Sequence, residues 1–436
     1  MKVALISPKG SFLSNNSDFK KFWKKNNEVV AHRRYWSGFG SGLLIIAALL
    51  PKNTDIKLID ENIDPIDYNE NFDLVAVATP TTQQANRAYK IADNFKEKGI
   101  KVIIGGIHAT VLPKEAKAHA DSVIIGEVES VWADFMKDFL NNNIKPFYSS
   151  KEQFDLKKSP MPRYDLVAPE NYKMVWVQAS RGCPYDCEFC VASKIYGFKF
   201  RHKTISMVIE ELKTIKRIWK DGVKIGFSDD NLFVDRKYAD KLIKAMAHLN
   251  IRWFAQCDIS VGAETEFLSL LRKSGCELLF IGIESANKNS LNEINKNRVK
   301  AHFFGKYKKY IKNIQSQGIG VMGAFVIGLD GDDLSIFDKT IDFIVANKIY
   351  ASQITTLTPL PGTRLRDRLL EENRILSTSW DNYTFGDVNF LPKKMTPVQL
   401  QKGLVKIYQK IYSKEVRKKI GKHFKKIYLK MFNNKK

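Results

Sequence analysis

Short apolar runs alternate with amphipathic stretches along most of this chain, and few folds satisfy that alternation. Between residues 1 and 150 the runs Val3–Ser7, Asp55–Asp60, Leu74–Thr79, Val102–Gly105 and Ser122–Ile125 each start or stop at turn-forming or polar residues. Helical periodicity fills the intervals, most clearly over Thr82–Lys98, where Ala85, Ala88, Ile91, Ala92 and Phe95 share one face. This pattern predicts a parallel, doubly wound α/β sheet, whose ligands bind at the carboxyl ends of the strands. The loops there are Thr79-Pro80-Thr81-Thr82, Gly105-Gly106-Ile107-His108-Ala109-Thr110 and Gly126-Glu127-Val128-Glu129. Their small residues let a large planar or phosphate-bearing ligand approach the backbone. A dinucleotide fits poorly, because Gly38-Phe39-Gly40-Ser41-Gly42 follows no strand and lacks the G-x-G-x-x-G spacing.

Residues 151–172 carry Pro160, Pro162 and Pro169 among polar residues and read as a linker. Alternation then resumes. Strands are expected at Met174–Ser180, Val223–Phe227, Arg252–Cys257, Glu277–Ile283, Gly320–Ile327 and Ser352–Leu357, with helices between them. Six such strands over residues 173–363 predict a partial (β/α)6 barrel, with its active site at the carboxyl ends of the strands. Residues 364–436 turn helical and basic. Leu400, Leu404, Ile407 and Ile411, then Val416, Ile420, Phe424, Ile427 and Met431, mark two amphipathic helices broken near Ser413 or Gly421.

The loop after the first barrel strand holds Cys183, Cys187 and Cys190 in a C-x3-C-x2-C run. Structural zinc takes four protein ligands, and the only other cysteines, Cys257 and Cys276, are isolated. Three thiolates suit an iron–sulfur cubane that leaves one iron open to a small molecule. A zinc site completed by His202 or a distant cysteine is the alternative. Cys257 and Cys276 sit in apolar surroundings and read as buried hydrophobes.

At 436 residues the chain predicts two or three domains. Five cysteines, three in one loop, argue against a disulfide framework and for a reducing cytoplasm. The start, Met1 to Pro8, reads as a strand and not as a signal peptide. The longest aliphatic run, Leu43–Leu50, is far short of the ~20 residues of a spanning helix. The net charge of +23 is uneven: Lys393–Lys436 holds fifteen Lys or Arg against the single acid Glu415. Such a tail suits an anionic lipid surface, nucleic acid or an anionic substrate, while lysines solvating a helical face explain it as well. Its apolar stripe points first to packing on the barrel, although a membrane surface would use the same stripe.

The cysteine run, with Phe189 just before the third cysteine, resembles the loop of radical S-adenosylmethionine (SAM) enzymes. Together with the loops at Gly105–Thr110 and Gly126–Glu129 and the run Thr358-Pro359-Leu360-Pro361-Gly362-Thr363, the resemblance is to cobalamin-binding-domain radical SAM proteins such as hopanoid C-methylases. It covers nearly the whole chain. It implies a Rossmann-like cobalamin-binding domain over 1–150, a radical SAM barrel, and a 4Fe-4S cluster held by Cys183, Cys187 and Cys190. SAM recognition then falls to Phe189, Asp229, Asp230, Gln256, Glu284 and Ser285. Cobalamin falls to Thr79, Thr81, Gly105, Gly106, His108, Thr110, Gly126 and Glu127.

Two departures stand out. Asp229-Asp230 replaces the more usual Gly-Gly-Glu, and Asp330 occupies a position where relatives usually have proline. A carboxylate pair suits an ammonium or hydroxyl groups, and Asp also favours helix N-caps. None of the seven histidines has Asp two residues before it, so no D-x-H-x-x-G motif offers a histidine to cobalt. Methylthiolating radical SAM enzymes carry three further cysteines in their first domain, and residues 1–182 here contain none.

The resemblance implies methyl transfer from methylcobalamin to an unactivated carbon, after hydrogen abstraction by a 5′-deoxyadenosyl radical. Ring formation or rearrangement without net methylation, or a cobalamin-binding regulator, are the alternatives. The implied partners are a small-molecule or lipid-like substrate and an external flavodoxin- or ferredoxin-type electron donor. The basic tail adds peripheral membrane contact, with nucleic acid left open.

Overall fold

The structure is a computed structural model that describes residues 1–10, 14–26, 39–172, 174–220, 223–294 and 299–433. Gly38 of the glycine-rich run and the last three residues of the basic tail lie outside them.

Six parallel strands form the first sheet: β1 (Lys2–Ser7), β2 (Asp55–Asp60), β3 (Leu74–Ala78), β4 (Lys101–Gly105), β5 (Ser122–Ile125) and β6 (Phe147–Ser149), in the order β2-β1-β3-β4-β5-β6. Successive residues point to opposite faces, so each strand serves two cores. Val3, Leu5, Leu74, Ala76, Ile103 and Ile124 face one of them, and Ala4, Ile6, Val75, Val77, Ile104 and Val123 the other. That two-sided burial explains why these strands read as continuous apolar runs. The strand order reverses between β1 and β3, which opens a crevice at their carboxyl ends. Strand β6 was not expected. It is three residues long with only Tyr148 buried, too short to show a period.

The second sheet runs β14-β13-β12-β11-β10-β7, again all parallel. Its strands are β7 (Met174–Val177), β10 (Lys224–Phe227), β11 (Arg252–Cys257), β12 (Cys276–Glu284), β13 (Gly320–Ile327) and β14 (Ala351–Thr356). Strands β7 and β14 are opposite edges, so the barrel is open. The run Met174–Ser180 does not continue as one strand. After Val177 the chain leaves the sheet, and Ser180–Arg181 (β8) pairs antiparallel with Arg201–His202 (β9). The cause is Asp229, whose carboxylate takes the Ala179 N–H at 3.1 Å and the Ser180 hydroxyl.

Residues 151–172 connect the two sheets but are firmly packed. Leu156, Tyr164, Val167 and Tyr172 are buried, and the hydroxyls of Tyr164 and Tyr172 reach Glu211 at 3.2 Å and Asp60 at 2.6 Å.

The C-terminal region ends in the helices Pro397–Ile411 and Lys414–Asn433, broken at Ser413. The first opens with a capping box at Thr396 and Gln399. Rings of Phe19, Phe22 and Trp23 from the N-terminal region pack on its Tyr408. The second helix lies on the barrel: Val416 and Phe424 are buried, Phe424 meets Tyr350 edge-on at 5.0 Å, and His423 bonds Gln315 at 3.1 Å. Lys414, Lys418, Lys419, Lys422, Lys425, Lys426 and Lys430 stay exposed. Deleting residues 414–436 is therefore expected to destabilise the protein, by about 1.5–3 kcal/mol for each of Val416 and Phe424. Urea denaturation of the truncated chain measures this, and an unchanged midpoint would show the helix to be dispensable for packing. No helix among the described residues is long and apolar enough to cross a membrane.

Candidate active site

The cysteine loop leaves β8 through Gly182, whose φ of +95° only glycine adopts readily. A Cβ there would lie 2.3 Å from the Lys199 carbonyl oxygen, so the turn closes backbone on backbone. Cys183, Cys187 and Cys190 then follow in one tight excursion, with the Cys190 N–H donating to the Cys187 carbonyl at 3.0 Å. All three are partly buried and free of disulfides. Burial pushes the Cys183 thiol up to about 11 and the Cys187 thiol up to about 12, and it raises Cys190 as well. The Lys300 ammonium opposes the rise at Cys187. Thiols in such surroundings ionise when a cationic centre takes them as ligands. That is the chemistry an iron–sulfur cluster requires, and the loop fits one.

Among the described residues, no three His, Cys, Asp or Glu side chains converge as they would on a single ion. A cubane spreads its ligands over separate irons and does not require that convergence. His202 is engaged elsewhere: its ring stacks on Tyr238 at 3.9 Å and Nδ1 faces the Lys203 carbonyl at 2.9 Å.

Neighbouring strand ends converge on this loop. After β10, Asp229 is fully buried and raised by burial to about 7, against the pull of Ser180 and Ala179. Its oxygens are thus spent on holding β8. Asp230 is less enclosed; burial raises it too, the Gly182 N–H pulls it down, and its charge is felt at Cys183 and Cys190. Of the pair, Asp230 is the one turned to the loop. At the end of β12, Glu284 takes φ +66°, unusual for a side-chain-bearing residue, and accepts from Lys300 Nζ at 3.0 Å. Ser285 is buried, and its hydroxyl accepts the Asn287 N–H at 3.1 Å. Gln256 is partly buried on β11, and its carbonyl accepts from Leu232 N–H at 3.1 Å. Phe189 packs partly buried against the core.

Sequence reasoning passed over several participants. Lys300 also donates to the Gly282 carbonyl at 2.9 Å and stands 5.9 Å from the Tyr185 ring. Tyr185 donates to Asp258 at 3.2 Å, and Asn231 donates to the same carboxylate oxygen at 2.8 Å. These residues tie the ends of β10, β11 and β12 to the first half of the cysteine run.

At the first sheet, the loops after β3, β4 and β5 are cross-linked. Thr79 is fully buried; its hydroxyl donates to the Gly105 carbonyl at 2.9 Å and accepts the Ala109 N–H at 3.1 Å. Thr110 donates to the Gly106 carbonyl at 2.8 Å and accepts the Gly126 N–H at 3.0 Å. Thr81 donates to Gln84 at 2.8 Å. Gly106 has φ +110°, and a Cβ on it would meet the Thr79 backbone at 2.8 Å. Gly126, by contrast, has nothing within 4 Å of where a Cβ would stand. The crevice edge is open there, which fits a large ligand such as cobalamin. His108 is fully buried, with Nδ1 toward Thr82 at 3.4 Å and Nε2 toward Glu115 at 3.3 Å. Glu115 also receives the Trp380 indole N–H at 2.7 Å, so the C-terminal region seals this corner.

Glu127 joins the domains. Its carboxylate accepts from Arg181 at 2.7 Å, Arg201 at 3.0 Å and the Phe154 N–H at 2.9 Å. Arg181 extends its other nitrogen to Glu129 at 2.7 Å. The loop after β5 is thereby locked to the strand that delivers Cys183.

Comparison with known proteins agrees with this architecture. The radical SAM superfamily model matches residues 177–344, the B12 binding domain matches 29–135, and a domain of unknown function (DUF4070) matches 363–436. The chain is 32% identical to bacteriochlorophyllide d C-12(1)-methyltransferase of Chlorobaculum tepidum over 381 residues, 85% of this chain and 82% of that protein. It is 28% identical to the C-8(2)-methyltransferase of the same organism, over 86% of each chain. Among solved structures, the radical SAM methyltransferase TsrM from Kitasatospora setae, with cobalamin and a 4Fe-4S cluster bound, superposes with a TM-score of 0.69. It covers 92% of this chain and 84% of TsrM at 14% identity, a likeness of fold.

Proposed function

The chain belongs to the cobalamin-binding radical SAM enzymes, and from that premise we propose that it methylates an unactivated carbon of a largely apolar small molecule. Its cofactors are a 4Fe-4S cluster, SAM and cobalamin. When bound, the cluster and SAM supply a 5′-deoxyadenosyl radical that takes hydrogen from substrate carbon, and methylcobalamin supplies the methyl group. The protein's own residues bind and orient. Cys183, Cys187 and Cys190 are the cluster ligands. Asp230 and the Glu284–Lys300 pair place both signs of charge beside them, as a zwitterionic amino-acid moiety requires. Gln256 and Ser285 lie at adjoining strand ends, within the same arc. Gly105, Gly106, Thr110 and Gly126 shape the cobalamin crevice.

The observation that carries the reading is the lock between Glu127 and Glu129 on one domain and Arg181 on the other, two residues before Cys183. It holds the cobalamin-side loop against the strand that bears the cluster, as a reaction shared between the two cofactors demands. The apolar substrate class rests on the two relatives named for bacteriochlorophyllide d. One electron enters per SAM cleaved, and a flavodoxin- or ferredoxin-type donor is the partner suited to deliver it. The exposed lysines of the last helix suit an anionic membrane surface in the cytoplasm, where an apolar substrate would partition.

The test is anaerobic incubation of reconstituted enzyme with methyl-labelled SAM, cobalamin, reductant and an apolar extract of a strain lacking the gene. Equal formation of 5′-deoxyadenosine and S-adenosylhomocysteine, with label in an apolar product, is expected. 5′-Deoxyadenosine without transferred label would replace methylation by ring formation or rearrangement, and neither product would point to a regulator. Pelleting with anionic vesicles at low salt, lost at high salt, checks the surface role.

A further inference from the structure

We infer that the helix opening the C-terminal region is a charge clamp on the cluster loop, with Arg368 as the residue that neutralises Glu188 beside the iron ligands. The helix Arg364–Glu371 begins the segment that matches a domain of unknown function, and three of its residues grip the run between the cysteines. Arg364 donates to the Asp186 carbonyl at 3.0 Å and pairs with the Asp186 carboxylate at 2.9 Å. The Leu365 N–H donates to the Glu188 carbonyl at 3.1 Å. Arg368 Nε donates to the Glu188 carboxylate at 2.6 Å. Asp186 and Glu188 are the only acids between Cys183 and Cys190, and they flank Cys187 on both sides.

The clamp is anchored from behind. Asp330, on the loop after β13, accepts from Arg368 at 2.7 Å and from Arg374 at 2.7 Å, and it pairs with Lys393 at 3.1 Å. Glu372 pairs with Arg374 at 2.5 Å and with Arg368 at 3.3 Å. Three bases thus face three acids, Glu188 among them. Anchoring Arg368 and Arg374 is the task of Asp330. In a half-buried site charges act on one another far more strongly than in water. Cluster potentials follow net charge, hydrogen bonding and exposure, and reduction adds a negative charge. An unpaired Glu188 would therefore disfavour the reduced cluster, and Arg368 removes that penalty. Arg368 is a positioning residue: it acts through Glu188 and the loop.

The inference rests on the cysteines holding a 4Fe-4S cluster and is independent of the substrate. Its test is a redox titration of the full-length reconstituted enzyme, followed by electron paramagnetic resonance, with iron content measured in parallel to check the cluster itself. Arg368→Gln should lower the reduced-to-oxidised ratio at the wild-type midpoint about tenfold, which for a one-electron couple is about 59 mV. Glu188→Gln should move the midpoint the opposite way, the double variant should return to within about twofold of wild type, and Arg368→Lys should keep most of the wild-type value. A role in packing alone would move both single variants alike. Shifts of the same sign, or a Glu188→Gln enzyme with full iron and an unmoved midpoint, overturn the inference. If Arg368→Gln fails to retain iron, Glu188→Gln and the double variant still decide.

Discussion

Replacing Cys183, Cys187 and Cys190 together by alanine is expected to give a colourless protein that no longer cleaves SAM. The wild-type protein, reconstituted without oxygen, should hold about four irons and four sulfides. The loss should be complete because the loop offers no substitute. His202 is committed to Tyr238 and Lys203, and Cys257 and Cys276 are buried in the core. The fold itself should survive. The loop is also held by Arg364 and Leu365, by the Glu188 N–H to Ile294 carbonyl bond at 2.8 Å, and by Asp229 on β8. Iron and sulfide analysis together with circular dichroism separates the two effects. Cluster retention in the triple variant would end the assignment of these ligands.

The cysteine loop after the first barrel strand and most of the strand ends were legible in the sequence because both are local. Three cysteines within eight residues fix their own proximity, and apolar runs with turn residues mark where each strand stops. Of the two breaks expected between the last helices, the one at Ser413 forms, whereas the helix Lys414–Asn433 runs unbroken through Gly421. The pairings that organise the site were not legible, because they join residues far apart in the chain. Arg368 meets Glu188 across 180 positions, Arg181 meets Glu127 across 54, and Trp380 meets Glu115 across 265. A lone Lys300 in a basic chain carries no signal of its burial against Glu284. Glu127 and Asp229 illustrate the converse. Each stands at a strand end where a ligand contact was expected, and each has its carboxylate engaged by neighbouring protein donors that only the fold brings near. The kink after Val177 had no signal in its own residues, since its cause, Asp229, is 50 positions away.

Substituting Arg181 by methionine is expected to cost about 3–5 kcal/mol, the usual result of breaking one side of a buried ion pair. The side chains of Arg181, Glu127 and Glu129 are 10%, 6% and 2% exposed, so solvent screens this cluster little. Glu127 would keep Arg201 and the Phe154 N–H. Glu129 would lose the guanidinium that both its oxygens accept from, at 2.7 and 3.2 Å, and its charge would stay buried. The penalty is therefore assigned to Glu129, which yields a second expectation. Adding Glu129→Leu to Arg181→Met should restore much of the stability, because an apolar replacement of a whole buried pair is often neutral. Urea denaturation measures both variants. Because the pair spans the two domains, the single variant should also separate their unfolding into two steps, seen as different midpoints by fluorescence and circular dichroism. A loss below about 1 kcal/mol for Arg181→Met would place the cluster among solvent-screened surface pairs. The first sheet would then be held to the cysteine loop by apolar packing and by the bonds of Glu127 to Arg201 and the Phe154 N–H.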